Sequence, residues 1–189
     1  FGLFNYKVPQ GKNNPNSRVQ RSWLKSVCFT ETPVDHIYVQ CESIYGRRLE
    51  FKPYGLAFFE ETVIQKNGNP VMYFHSNNGG IRAALDQIAT AQNCQSFADL
   101  MVLYEAFGPH LFQRSSSAPN IDFRWEREWR IRGDFSYTSQ GVAFGICPEE
   151  EIEAFEALVK NQFSFIDPRR PAGLIKKKLR KDARLKGLI

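Results

Sequence analysis

The chain lacks the patterns that mark the commonest site chemistries. Its four cysteines, Cys28, Cys41, Cys94 and Cys147, show no CxxC spacing. Neither a zinc site nor a disulfide framework is indicated, and free thiols in a reducing cytoplasm are expected. His36, His75 and His110 stand far apart, without an HxxxH or His-x-Glu setting, so each is read as structural and no metal is expected. No Gly-rich phosphate loop, Gly-x-Ser-x-Gly elbow or internal repeat occurs, which removes the sequence grounds for P-loop chemistry and for a serine hydrolase. There is no run of about 18 apolar residues and no charged-then-apolar leader, so neither a membrane span nor a signal peptide is expected.

What is present is aromatic and unevenly charged. Sixteen Phe, seven Tyr and three Trp within 189 residues supply ample apolar area for one well-cored domain. The net charge of +5 conceals an asymmetry: residues 169–189 hold nine Lys or Arg and one acid, against 16 basic and 19 acidic residues before them. The expected organisation is one domain over residues 1–168 with a basic tail, 169–189. The high pI is a property of that tail rather than of a general nucleic-acid-binding surface.

Along the chain, residues 9–22 carry turn formers without hydrophobic period and read as a loop. Val27-Cys28-Phe29-Thr30, residues 54–59, Val71-Met72-Tyr73-Phe74, residues 123–132 and Val142-Ala143-Phe144-Gly145-Ile146 read as strands. Thr30 or Thr32 is a candidate cap for whatever begins after Pro33. Apolar residues at three and four residue intervals from Ile81 to Phe107 predict two helices broken near Asn93. Pro148 followed by Glu149-Glu150-Glu151 predicts a helix to about Val159, with acids in its first turn. The fold class is α+β: a split, mostly antiparallel sheet with packed helices.

The densest chemistry lies in Trp125-Glu126-Arg127-Glu128-Trp129-Arg130. Read as a continuous strand, it places Glu126, Glu128 and Arg130 on one face, with the two carboxylates about 7 Å apart. Such a pair needs a cation, hydrogen-bond donors or a ligand to offset its repulsion. Either the pair forms a site, or the charges are solvated on an exposed strand with Arg130 paired to a carboxylate.

Four blocks, Val27-Cys28-Phe29-Thr30-Glu31-Thr32-Pro33, Tyr54-Gly55-Leu56-Ala57-Phe58, Gly68-Asn69-Pro70-Val71-Met72-Tyr73 and Asp122 to Arg130, resemble in order those of the AbiGi family of abortive phage resistance proteins. The resemblance spans roughly residues 27–147 and implies the antitoxin side of an abortive infection pair, with a toxin partner. The layout is also similar to bacterial defence and toxin proteins of the ADP-ribosyltransferase fold, in which a Glu-x-Glu strand closes an NAD cleft. That resemblance implies Glu128 as the catalytic carboxylate, stabilising positive charge on the ribose, with Glu126 orienting or deprotonating an acceptor on a macromolecule. It implies NAD contacts from Arg130, Tyr54, Phe29 and Thr30, although for Tyr54 and Phe29 core packing is the commoner role. The fold's first motif, an Arg or His on an early strand, is not identifiable in the chain. The alternative is a non-enzymatic antitoxin or a nucleic-acid-binding regulator.

The tail mixes Leu174, Ile175, Leu179, Leu185 and Leu188 with cations and can form a basic amphipathic helix past Gly173. Three roles stay open for it. It docks on the acidic body or an acidic partner; it contacts nucleic-acid phosphates through Lys176, Lys177, Lys178, Arg180 and Lys181; or it lies on a membrane surface.

Overall fold

Bulky and β-branched runs take the pleated backbone expected of them in the computed structural model, which describes residues 25–43, 50–75, 78–90, 98–107 and 124–189. Among these residues the strands are β1 (Ser26–Thr30), β2 (Gly55–Phe58), β3 (Asn69–Pro70), β4 (Met72–His75), β5 (Tyr104–Phe107), β6 (Glu128–Arg132), β7 (Val142–Ile146) and β8 (Phe165–Ile166). The α-helices are α1 (Glu60–Ile64), α2 (Gly79–Thr90), α3 (Ala98–Met101), α4 (Ile152–Leu158) and α5 (Ala172–Leu179). The class is α+β, with antiparallel pairing between β1 and β6, β3 and β6, and β2 and β7, and parallel pairing between β4 and β5 and between β7 and β8. The chain divides into two units, Phe1–Glu31 with Ile64–Phe135, and Thr32–Val63 with Ser136–Ile189.

In the first unit β6 lies between β1 and β3, in a register that sets Cys28 opposite Arg130 and Thr30 opposite Glu128. The chain then changes partner at Val71. Its N–H donates to the Glu128 carbonyl (2.8 Å), while the Met72 N–H donates to the Leu103 carbonyl (2.7 Å) and opens the β4–β5 pair. This handover splits the sheet. It also corrects the helical reading of the stretch to Phe107: Leu103 N–H closes a turn on Leu100 (3.0 Å), and residues 104–107 pair with β4 instead. Tyr104 and Phe107 satisfy a helical interval, but the edge of β4 offers a complete set of backbone partners. The expected break near Asn93 lies outside the described residues, as do Cys94, His110 and the loop at 9–22.

The second unit is built on β7, flanked by β2 and β8, and a strand with neighbours on both edges reads as a continuous apolar run. Ala143 and Phe144 pack with Ile166, Ile175, Leu179 and Leu185, while Val142 packs with Cys147, Ile152, Phe163 and Phe165. Three of those side chains, Ile175, Leu179 and Leu185, come from the basic C-terminal segment and face inward, whereas Leu174 and Leu188 are exposed. No Thr caps the 3-10 helix Val34–Cys41; Pro33 holds the cap position, and the Thr32 hydroxyl accepts from Gln40 (2.9 Å).

Gly145 of β7 is required by packing, because a Cβ there would fall inside the Phe165 ring. Gly145→Ala is therefore expected to lower stability by about 1–3 kcal/mol, the range for overpacking a filled core, read as a fall in the thermal midpoint. Asp167 is a second fixed point, only 4% exposed. Its carboxylate accepts from Glu149 N–H (3.0 Å), Arg169 N–H (2.9 Å) and the Arg169 guanidinium (2.8 Å). The Arg169 hydrogen bonds hold its pKa below the usual carboxylate range. A depressed folded pKa means that this stabilisation is complete above the unfolded value, near ~4, and is lost as pH falls through the folded value. Asp167→Asn should thus be less stable than wild type at pH 7, with the difference shrinking below about pH 4, as read from urea midpoints across that range.

Candidate functional site

Arg127 decides the geometry of the charged stretch. It sits at φ 46°, a left-handed conformation that non-glycine residues rarely take, and it separates the 3-10 turn Arg124–Glu126 from β6. Three contacts hold it there. Its carbonyl accepts from Glu31 N–H (3.1 Å), its guanidinium pairs with the Glu31 carboxylate (2.7 Å), and the same carboxylate accepts from the Trp129 indole (3.1 Å). The consequence corrects the sequence reading: strand alternation begins only at Glu128, so Glu126 does not share a strand face with it. Glu126 instead offers its backbone carbonyl to the Thr30 hydroxyl.

Glu128 and Arg130 do share a face, and they are bound to each other. Arg130 Nε donates to Glu128 Oε1 (2.9 Å) and Nη2 to Oε2 (2.7 Å), a bidentate pair with side-chain exposures of 8% for Arg130 and 13% for Glu128. The third arm of the guanidinium, Nη1, donates to the Val102 carbonyl (2.9 Å). Cys28, opposite Arg130 on β1, hydrogen-bonds to Glu128 through its thiol, which burial and then the Glu128 charge push up to about 12. The thiol stays protonated at neutral pH and is no nucleophile. Tyr73 approaches from β4, its hydroxyl accepting from Glu128 N–H (3.2 Å), and burial pushes its pKa up to about 12 as well. The cluster therefore presents a carboxylate already engaged by a guanidinium and a thiol.

The ring residues expected at an NAD site belong to different units, and each packs within its own. Phe29 packs edge-on against Phe135 (5.0 Å between centroids) in the first unit. Tyr54 belongs to the second unit, where its hydroxyl donates to Glu151 (2.7 Å) and its ring lies 6.2 Å from that of Phe155. Glu151 raises the Tyr54 pKa through that bond. Within the first unit the carboxylate expected to be catalytic is held by Arg130, and Phe29 is a ring-packing partner of Phe135; Tyr54, in the second unit, is 47% exposed. Cys28 and Tyr73 as partners of Glu128, and the Val102 carbonyl as a partner of Arg130, were not legible, because each is brought there from a distant segment. The only local hint was the two-residue spacing of Glu128 and Arg130.

Of the five tail cations, Lys176 pairs with Asp35 (2.6 Å) and Lys178 with Glu156 (2.9 Å). Arg180 Nε donates to the Ile189 carbonyl (2.9 Å), and Lys177 and Lys181 are exposed. Among the described residues no group of three His, Cys, Asp or Glu could hold a metal ion, and no helix is long and apolar enough to cross a membrane.

A family model described as "Putative abortive phage resistance protein AbiGi, antitoxin" matches residues 7–164, which takes in the whole Glu128–Arg130 cluster. Comparison with curated proteins and with solved structures gave no match. With most of its length under that model, and the ordered blocks around Cys28, Tyr73 and Glu128 folded into one cluster, the chain belongs to the AbiGi family of abortive phage resistance proteins.

Proposed function

We propose that this protein is the antitoxin of an abortive infection pair and acts by binding its toxin, with the Glu128–Arg130 pair holding the binding scaffold together rather than performing chemistry. The observation that carries this reading is the bidentate pair itself: both carboxylate oxygens of Glu128 accept from Arg130, at 2.9 and 2.7 Å. A catalytic carboxylate must be able to bond a substrate group more strongly in the transition state than before it. One held bidentately by a buried guanidinium has that charge already offset, and freeing it from that partner costs several kcal/mol. The family description as an antitoxin supports the same role.

The enzymatic reading, an NAD-dependent transferase using Glu128 and Glu126, requires Arg130 to release Glu128. Its nucleic-acid-binding counterpart draws support from Lys177 and Lys181, and less from Lys176 and Lys178, whose charges are already paired. The test is nicotinamide release and label transfer from radiolabelled NAD by the full chain with cell extract, beside Glu128→Gln. The expected result is no release above background from either protein. Release by the wild type that disappears in the variant would replace the binding reading with the transferase.

A further inference from the structure

An open pocket of about 360 Å³ lies in the second unit, between the turn that follows α4 and the segment that follows α5. That volume falls in the lower part of the range for ligand pockets, about 300–1,000 Å³. Its floor is fixed. Glu156 accepts from Phe165 N–H (2.9 Å) and pairs with Lys178 (2.9 Å), and Asp182 pairs with Arg184 (2.6 Å). Arg184 also donates to the carbonyls of Val142 (3.0 Å) and Ala143 (3.3 Å), so its guanidinium is engaged by the fold.

What remains on the wall is chemically specific. Lys181 is the charged group there that the internal pairs leave uncompensated, and beside it stand the amides of Asn161 and Gln162 and the hydroxyl of Ser164. The side chains of these four have no partner among the described residues. The turn that presents the amides is held in an unusual form. Lys160 and Asn161 are both left-handed, at φ 53° and 56°, and Asn161 N–H closes on the Glu156 carbonyl at 2.8 Å.

We infer that this pocket receives an acidic peptide segment of the partner toxin, an inference that rests on the binding reading above. Lys181 meets a carboxylate, and the amides, each with a donor and an acceptor, match a peptide group. A nucleic-acid track would call for successive uncompensated cations, whereas the wall offers one cation among neutral hydrogen-bonding groups.

The test uses the full chain and a hexapeptide of alternating Glu and Ala blocked at both ends, titrated by calorimetry. Its Gln counterpart and hexathymidylate serve as controls. The expected result is saturable binding of the Glu peptide, weakened about five- to tenfold by replacing Glu with Gln, by Lys181→Ala or by Asn161→Gly, the size of one net hydrogen bond. Glycine at 161 keeps the left-handed backbone while removing the amide. Lys186→Ala, an exposed cation outside the pocket lining, should leave binding unchanged. No saturable binding, an equal loss in Lys186→Ala, or tighter binding of hexathymidylate would each overturn the inference. Neutralisation of the toxin is measured separately, so a protein that neutralises but ignores the peptide removes the pocket assignment alone.

Discussion

Arg130→Ala is expected to destabilise the first unit by about 3–5 kcal/mol, the range for breaking a buried ion pair by removing one partner. Glu128 would be left at 13% side-chain exposure without its guanidinium partner, and the Val102 carbonyl would lose the Nη1 donor. The thiol of Cys28 is a weak donor and offsets little of this. Replacing both members with apolar residues of similar volume, Glu128→Leu with Arg130→Met, removes the uncompensated charge and should recover most of the loss. Trp23, Trp125 and Trp129 all fall in the residue ranges of this unit, so urea unfolding followed by tryptophan fluorescence reads it directly. A loss below about 1 kcal/mol in Arg130→Ala would mean that the pair behaves like a solvated surface bridge and holds nothing.

Ending the chain after Pro168 is expected to prevent the second unit from folding stably. The cut removes Ile175, Leu179 and Leu185, at 3%, 0% and 2% exposure, from the cluster that they form with Ala143, Phe144 and Ile166. Each such side chain contributes about 1.5–3 kcal/mol of burial, so the sum approaches the whole stability of a typical domain. It also removes Arg184, whose guanidinium pins the segment to the β7 carbonyls. Hydrogen exchange at residues 142–146 is the readout: protection in the full chain, and its loss in the truncated one. Leu179→Ala in the full chain gives the graded version, about 2–5 kcal/mol. Undiminished protection after truncation would show that the segment is an appendage. The family match stops at residue 164, so this dependence concerns a part of the chain beyond the matched region.

How far the fold could be read in advance followed from how local its causes are. The run Val142-Ala143-Phe144-Gly145-Ile146 gave β7 with its observed bounds, since a strand paired on both edges is apolar throughout. β1 and β4, each paired on one edge, came within a residue because their bulky and β-branched runs favour a pleated backbone. β5 was hidden because Tyr104 and Phe107 fit a helical interval, and only the distant edge of β4 makes the segment a strand. β8, two residues long, carries too little pattern to be seen. The site followed the same division. Pairing of Arg130 with a carboxylate was among the readings of the charged stretch. The expectation that Glu126 shared that face failed at one residue, Arg127, whose left-handed backbone is imposed by Glu31 nearly a hundred positions away.

The central claim, that Glu128 and Arg130 hold a binding scaffold and do no chemistry, is tested most directly by toxin neutralisation with the Glu128→Leu/Arg130→Met protein. Growth of cells expressing the cognate toxin would be compared with wild-type and double-variant antitoxin at matched levels, the variant's fold being checked by circular dichroism. Full rescue by a variant that has lost both charged groups is the result this account expects. A folded variant that still binds the toxin but fails to rescue growth would contradict it and return Glu128 to the role of a catalytic carboxylate.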